Sequence, residues 1–372
     1  MRVLIVAGDP SGDLIASKLV AAMKRQRPDL EVVGVGGKEL EHVSDRFLKN
    51  IVDQGAFGLP VSPAQISFFR DVLNKVILKE LKANPTDAVI PVDFYGFNSR
   101  VAIAAKKSGH KVFYYASPQF WASRPGRAET LRKSVDMFLC LFPFEMDFYR
   151  KRNLAAQFVG HPLLDTIPLA QDRPMRIEAT VGLLPGSRMS EIRRHLPVIV
   201  HACNLITDAA PGTRFVLFTV RHVSRQVYQD IIAASGKKSK CLIELVQDEN
   251  YAWRSQIDLA ITASGMETLE NALLGVPMVV MYKMTWLFYC LARMVISIPY
   301  IGMPNLLAGK LLVPEFIQWK ATPQRVAAPI IEWIRRPEER LRIRRELLAL
   351  RQQFGENGAS ERAARVILEK VA

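Results

Sequence analysis

The stretch LAITASGMETLENALLGVPMVVM, residues 259–281, decides the fold. Residues 259–262 and 278–281 are short, unbroken apolar runs, and between them Ser264 and Gly265 open a helical segment. A strand that is apolar without alternation is buried on both faces, which marks a parallel sheet. Strand, helix and strand in direct succession form the unit of a doubly wound α/β fold. The unit recurs outward from this stretch. Further runs of the same kind fall at 3–7, 32–35, 88–92, 112–115, 137–141 and 158–159, then at 181–184, 215–218 and 242–245. The series restarts near the middle, across a polar stretch at 170–178 that contains Pro174 and reads as a linker. The chain of 372 residues is long enough for two cores. It therefore reads as α/β: two Rossmann-like, doubly wound parallel-sheet domains with a cleft between them. They cover 1–168 and 169–350, and a helical tail over 351–372 returns to the first.

Composition narrows the function classes. Lys plus Arg number 50 against 36 Asp plus Glu, a net charge of +14 that favours anionic partners such as phosphorylated substrates or acidic lipid surfaces. Apolar residues at 49% and charged residues at 23% exclude a disordered chain. Cys140, Cys203, Cys241 and Cys290 form no Cys-x-x-Cys and no zinc spacing, so they read as buried, reduced thiols of a cytoplasmic protein. The opening MRVLIVAGD does not read as a secretory leader, because its apolar run ends at Asp9. No segment reads as a membrane span; the nearest, 294–309, is broken by Pro299, Gly302 and Pro304. The Arg cluster at 335–351 interleaves with Glu and lacks aromatic residues, the pattern of a salt-bridged surface helix and not of a nucleic-acid site.

In such sheets ligands bind beyond the C-terminal strand ends. The first strand ends in Gly8-Asp9-Pro10-Ser11-Gly12-Asp13, a loop that either presents N–H groups to a phosphate or sugar hydroxyl or closes a capped turn. It is neither GxGxxG nor a P-loop, which argues against NAD and ATP. Asp93, at the end of the third candidate strand, is a general base in one reading and a cap for the helix near Asn98 in the other. In the second half, Gly186 and Ser187 allow close backbone approach and Arg188 can clamp a phosphate. Ser264 and Gly265 open a helix in which Glu270, about one and a half turns in, can accept both hydroxyls of a ribose. Glu267 and Glu270 also fit as ordinary acids of a helix's first turns. No Asp-x-Asp occurs, so the pattern is that of a nucleotide-sugar enzyme that needs no metal and no cofactor.

These segments resemble one family closely. AGDPSGD (7–13), YYASPQFWASRPGR (114–127), LFPFE (141–145), FVGHPLLD (158–165), LLPGSRMSEI (183–192), ASGMETLENALLGVPMVV (263–280) and PNLLAGKLLVPEFIQ (304–318) run in order along nearly the whole chain. Together they are similar to the lipid-A-disaccharide synthases, inverting glycosyltransferases of the two-Rossmann-domain (GT-B) architecture. The resemblance implies a peripheral membrane hexosyltransferase of lipid A biosynthesis, at the cytoplasmic face of the inner membrane. It would join UDP-2,3-diacylglucosamine to 2,3-diacylglucosamine 1-phosphate through a β-1,6 bond and release UDP. It implies catalytic roles for Asp93, Asp9 and Asn305. It implies substrate contacts for Ser11, Gly12, Gly186, Ser187, Arg188, Ser264, Gly265, Glu267, Thr268, Glu270, Lys310 and Gln318. It also permits a homodimer through the C-terminal region. Four positions depart from the family pattern: Asp9 replaces Glu, Gly96 stands where a second carboxylate is usual, Ser123 stands where Trp-Ala-Trp is usual at 121–123, and Lys310 replaces Arg. The other readings are a cofactor-free UDP-sugar epimerase of the same architecture and a non-catalytic nucleotide or lipid binder.

Acylated substrates call for a membrane-facing surface. Phe68, Phe69, Val72, Leu73 and Val76 follow helical spacing within 56–81, with Arg70, Lys75 and Lys79 among them. That pattern suits either an amphipathic helix lying on an anionic bilayer or a helix covering the sheet. The stretch 284–300, with Trp286, Phe288 and Tyr289, is a second candidate.

Overall fold

The computed structural model describes residues 1–53, 62–118, 120–121, 125–169, 178–235, 241–248, 250–295 and 298–371. The chain divides into two compact units, Met1–Asp165 with Phe354–Ala372, and Thr166–Gln353. The expected linker at 170–178 lies outside the described residues, apart from Glu178.

The first unit is built on seven strands: β1 (Arg2–Ala7), β2 (Glu31–Gly36), β3 (Arg46–Asn50), β4 (Ala88–Val92), β5 (Lys111–Tyr115), β6 (Met137–Cys140) and β7 (Ala156–Phe158). They lie in the order 3-2-1-4-5-6-7, every pair parallel. The second unit has β8 (Thr180–Leu184), β9 (Arg214–Phe218), β10 (Ile243–Val246), β11 (Leu259–Ala263), β12 (Met278–Tyr282) and β13 (Glu315–Ile317), in the order 10-9-8-11-12-13 and again all parallel. Both are doubly wound sheets. β1, β4, β8 and β11 are buried along nearly their whole length, as continuous apolar runs require.

In such a sheet the strand order reverses at one point, and the loops there splay apart to leave room for a ligand. Here that point lies between β1 and β4 in the first unit and between β8 and β11 in the second. Register keeps the strand ends level, with Ala7 opposite Val92 and Leu184 opposite Thr262. Asp9 and Asp93 therefore leave adjacent strand ends, as do Gly186 and Ser264.

The helix Pro63–Asp71 starts at Ser62, whose hydroxyl accepts the Gln65 N–H while the Gln65 side chain reaches back to the Ser62 N–H. It runs through a π-helical stretch, Val72–Ile77, into the helix Leu78–Ala83. Burial divides the residues expected to contact a membrane. Phe69 and Val72 are buried in the sheet core, and Phe68, Leu73 and Val76 pack partly buried against it. Phe69 lies 5.0 Å from the Phe97 ring and 5.7 Å from that of Phe94. Ile66 on the same helix stays exposed, and residues 56–61 of the stretch lie outside the described residues.

The C-terminal helix Ala359–Val371 packs on the helix Pro10–Gln26. Ala363, Ala364 and Ile367 are buried, and Arg25 and Gln26 bond to Glu361. Cys140 and Cys203 are buried as expected, but Cys290 is exposed. Among the described residues no helix is long and apolar enough to cross a membrane.

Candidate active site

In the first unit the β1 loop closes a capped turn. Asp9 caps the helix Pro10–Gln26, its carboxylate accepting the Gly12 N–H at 2.5 Å and the Ser11 hydroxyl at 3.0 Å. Ser11 and Gly12, expected to face substrate, spend those donors on Asp9. Asp13 is buried and accepts N–H bonds from Gly37 (2.7 Å), Glu39 (3.0 Å) and Leu40 (3.3 Å), tying this loop to the helix Lys38–Val43.

Asp93 does not cap a helix. The helix Tyr95–Lys107 begins after Phe94, and Asp93 and Phe94 both adopt left-handed backbone, at φ +47° and +48°. Two successive non-glycine residues in that region cost roughly 1–2 kcal/mol each, so neighbours must impose the turn. Asn98, fully buried, donates its amide to the carbonyls of Val6 (3.1 Å), Val92 (2.9 Å) and Asp93 (3.0 Å). The Tyr114 hydroxyl donates to the Asp93 carbonyl at 2.7 Å, and the Asp93 N–H continues the ladder to Tyr115. The Asp93 backbone is thus fully committed, and its half-buried carboxylate projects from a fixed turn.

That carboxyl is pushed up to about 7, first by burial and then by the nearby charge of Asp9; the Phe94 N–H opposes the shift and Glu145 adds to it. Glu145 has no role in the sequence reading beyond its motif. It is buried at the start of the helix Glu145–Arg150 that follows β6, accepting bonds from the Leu141 and Phe142 N–H groups (both 3.0 Å), the Ser117 hydroxyl and the Trp121 indole (both 3.2 Å). Burial raises it to about 7 as well.

The Phe94 ring fixes the turn from the other side, lying where a Cβ on Gly8 would stand, 2.0 Å away. Gly8→Ala must displace that ring and the turn with it. We expect a loss of about 1–3 kcal/mol in a urea melt, together with a fall in turnover.

In the second unit, Gly186 (φ +105°) turns the chain out of β8, and a Cβ there would meet the Glu191 carboxylate at 2.7 Å. Glu191 accepts from the Arg188 side chain (3.0 Å), the Arg188 N–H (3.3 Å) and the Tyr282 hydroxyl (2.9 Å). Arg188 is thereby steadied at the start of the helix Met189–Ala209 while staying exposed. Buried His195 joins two loops, donating from Nδ1 to the Pro185 carbonyl (2.7 Å) and accepting the Lys283 N–H at Nε2 (2.9 Å). Burial keeps it neutral by lowering its pKa.

At the end of β11, exposed Gly265 precedes the helix Met266–Leu273. The Ser264 hydroxyl donates to the Ile301 carbonyl at 2.7 Å. Buried Thr268 donates to the Gly265 carbonyl (2.7 Å) and accepts the Met303 N–H (3.3 Å). Half-buried Glu270 is ion-paired with Arg254 and accepts the Tyr251 hydroxyl at 3.0 Å. Arg254 lies between the Phe218 and Tyr251 rings, and its Nε is buried without a partner among the described residues. Each Glu270 oxygen still has acceptor capacity. Beside it Glu267 is raised to about 8 by burial, Arg254 opposing and the charges of Glu270 and Glu191 adding.

Other expected site residues turn out to be structural. Asn305 is fully buried, its amide donating to the Val313 carbonyl (2.8 Å) and Glu315 (2.7 Å) and its oxygen accepting the Leu312 (2.7 Å) and Val313 (2.9 Å) N–H groups. With all four bonds made it has nothing left for substrate, so it is a positioning residue and not a catalytic one. Gln318 is buried too, and its amide makes both ends of a clasp on the Met284 backbone, at 2.8 and 3.1 Å. Lys310 is ion-paired with Glu346 at 2.5 Å. Thr268, Asn305 and Gln318 hold the loops behind the strand ends together, whereas the Lys310 side chain stays exposed.

Among the described residues no three His, Cys, Asp or Glu side chains gather as a metal would require. Each unit thus presents one chemically distinct cluster: a near-neutral carboxylate in the first, and two helix starts with Arg188 and Glu270 in the second.

The family model described as Lipid-A-disaccharide synthetase matches residues 3–369. The chain is 37% identical over 370 residues to the lipid-A-disaccharide synthase of Syntrophus aciditrophicus, covering 97% of this chain and 96% of that one. It is 37% identical over 379 residues to that of Geobacter metallireducens, covering 99% and 97%. Its structure is similar to that of the UDP-GlcNAc 2-epimerase from Neisseria meningitidis bound to UDP-GlcNAc. The TM-score is 0.67 at 13% identity, over 99% of this chain and 100% of that one, a likeness of fold alone.

Proposed function

The chain belongs to the lipid-A-disaccharide synthetase family, and from that premise we propose how its two strand-end clusters divide the reaction. The enzyme is a glycosyltransferase that moves a diacylglucosaminyl group from UDP-2,3-diacylglucosamine to 2,3-diacylglucosamine 1-phosphate. The products are the β-1,6 disaccharide 1-phosphate and UDP.

Asp93 is the acceptor's base. Its carboxylate takes the proton of the 6-hydroxyl as that oxygen attacks the anomeric carbon from the face opposite the diphosphate, so the configuration inverts. The carboxyl at about 7 supports this role, because a base works best when its pKa is close to the operating pH. Asp9 acts through Asp93: it caps its own helix and its charge lifts the neighbouring carboxyl. At Gly96 a Cβ would meet nothing within 4 Å, so the missing second carboxylate leaves open space and no packing defect.

The second unit receives UDP. The starts of the helices Met189–Ala209 and Met266–Leu273, with Arg188, meet the charge that grows on the leaving diphosphate. Glu270 accepts the ribose hydroxyls, held in place by Arg254 and Tyr251. Glu270→Gln keeps the shape and removes the charge, and we expect it to weaken UDP binding by about 10-fold, read by calorimetry. Unchanged affinity would take the ribose away from Glu270. The acyl chains of both substrates bring the enzyme to the cytoplasmic face of the inner membrane.

One observation carries this reading above the rest: a carboxylate on a strained, fully braced turn at the switch point of the first sheet. A mass-resolved assay with both acylated sugars tests it, and formation of the disaccharide 1-phosphate with UDP is expected. Turnover of soluble UDP-N-acetylglucosamine alone would favour the epimerase instead.

A further inference from the structure

Tyr95 opens the helix Tyr95–Lys107 two residues after Asp93, so its Cα stands at most about 7 Å from that of Asp93. Three neighbours hold the Tyr95 side chain. Phe120 meets the ring edge-on, with centroids 5.2 Å apart. The Tyr95 hydroxyl lies 3.5 Å from that of Thr130, which donates its own proton to the Arg127 carbonyl at 2.7 Å. The Arg127 guanidinium lies over the ring, 5.1 Å from its centroid.

Arg127 is half-buried, yet among the described residues its side chain makes no ion pair and no hydrogen bond. Glu129, two residues on, pairs with Arg132 at 2.6 Å instead. A guanidinium with one face against a ring still offers its N–H groups at the edge, in a fork that matches two oxygens of a phosphate. The charges that act on Asp93 are negative, those of Asp9 and Glu145. A further anion can share that end of the sheet only where a cation stands ready to meet it.

We infer that Arg127, seated on the Tyr95 ring, takes the 1-phosphate of the acceptor and so fixes which end of that sugar reaches Asp93. The inference rests on the acceptor reading given above and adds the group that recognises the phosphate. The 6-hydroxyl and the 1-phosphate leave opposite ends of one pyranose ring, so a base and a phosphate clamp separated by one aromatic side chain orient the sugar between them. A phosphomonoester carries a charge of about −1.5 to −2 at pH 7, the kind of anion for which an unpaired guanidinium is suited. The ring contact holds the long Arg127 side chain in place before substrate arrives, which lowers the ordering cost of binding. Tyr95 in turn follows directly on the braced Asp93–Phe94 turn, so clamp and base keep a fixed separation.

The test compares two detergent-dispersed acceptors, 2,3-diacylglucosamine 1-phosphate and the 1-O-methyl glycoside of the same diacyl sugar, which has no phosphate. Wild type is expected to prefer the phosphate at least ~100-fold in kcat/KM. Arg127→Gln is expected to lose at least ~10-fold on the phosphate through KM, with the glycoside and the donor KM unchanged, so the preference shrinks. Arg127→Lys keeps the charge without the fork and is expected to fall between the two. A merely structural Arg127 would lower both acceptors alike, and an unchanged preference in Arg127→Gln overturns the inference while leaving the catalytic reading standing. If Arg127→Gln melts below the assay temperature, Arg127→Lys decides by the same ratio. Calorimetry of the acceptor phosphate without donor is run alongside, with wild type expected to bind at least ~10-fold more tightly than Arg127→Gln. Such binding without any transfer would sink the catalytic reading alone, and equal binding by the two proteins, or none by wild type, would sink this inference.

Discussion

Asp93→Asn is expected to lower transfer turnover by about 10²–10⁴-fold while leaving UDP affinity within about twofold. The amide keeps the size of the side chain and an oxygen that can accept the Phe94 N–H, but cannot serve as a base. The Asp93 backbone bonds to Asn98, Tyr114 and Tyr115 do not involve the substituted atoms, so the turn survives. A second readout follows from the raised carboxyl. A carboxyl whose folded pKa lies above its unfolded value of 3.8 favours folding at low pH, and that contribution is lost as pH rises through about 7. Above neutrality wild-type Asp93 is therefore a burden on the fold, and Asp93→Asn is expected to melt at the same temperature or higher. A variant that loses turnover without losing stability is the signature of a group kept for chemistry. Wild-type turnover would remove Asp93 from the mechanism.

Asn305→Ala is expected to do the reverse. Its removal strands the Leu312 and Val313 N–H groups and deprives Glu315 of a donor in a buried setting. Glu315 also accepts the Ile301 and Gly302 N–H groups, so the start of the helix Met303–Ala308 loosens with it. Each stranded buried group costs roughly 1–3 kcal/mol, which makes a total near 3 kcal/mol reasonable and lowers the melting temperature by roughly 10 °C. Turnover should fall mainly with the folded fraction. If Asn305 touched substrate, turnover would collapse at temperatures where the variant remains fully folded, and a melt run beside the assay separates the two outcomes.

The contrast between these residues shows what the sequence makes visible. The central strands were legible because a strand buried on both faces must be apolar throughout, and nothing else writes Val-Leu-Ile-Val-Ala into six residues of a soluble chain. β3 and β13 were missed, since RFLKN and EFI are edge strands, short and half-exposed, with charges where a central strand has valine. Positions at strand ends were legible as well, because topology dictates them. Roles were harder. Asn305 and Gln318 stand in polar motifs that look chemical, yet each spends its amide on backbone. Glu270 could be picked out, but its partners Tyr251 and Arg254 lie in an irregular stretch whose pattern gives no hint of their target.

Helix faces were the least legible. Phe69 and Trp286 both belong to apolar helices with basic neighbours, and periodicity treats them alike. What separates them is tertiary: a sheet stands ready to cover Phe69, while no described element covers Trp286. Glu145 was hidden for a related reason, since its weight comes from four donors gathered from two loops, after β5 and after β6.

The pH dependence of kcat/KM, taken from about pH 5 to about pH 9 for wild type and for Asp9→Asn, tests the assignment of Asp93 most directly. A single acid limb centred near 7 is expected in wild type, moving to lower pH in Asp9→Asn because the charge that lifts the Asp93 carboxyl is gone. A flat profile, or a limb that stays in place in the variant, would contradict it.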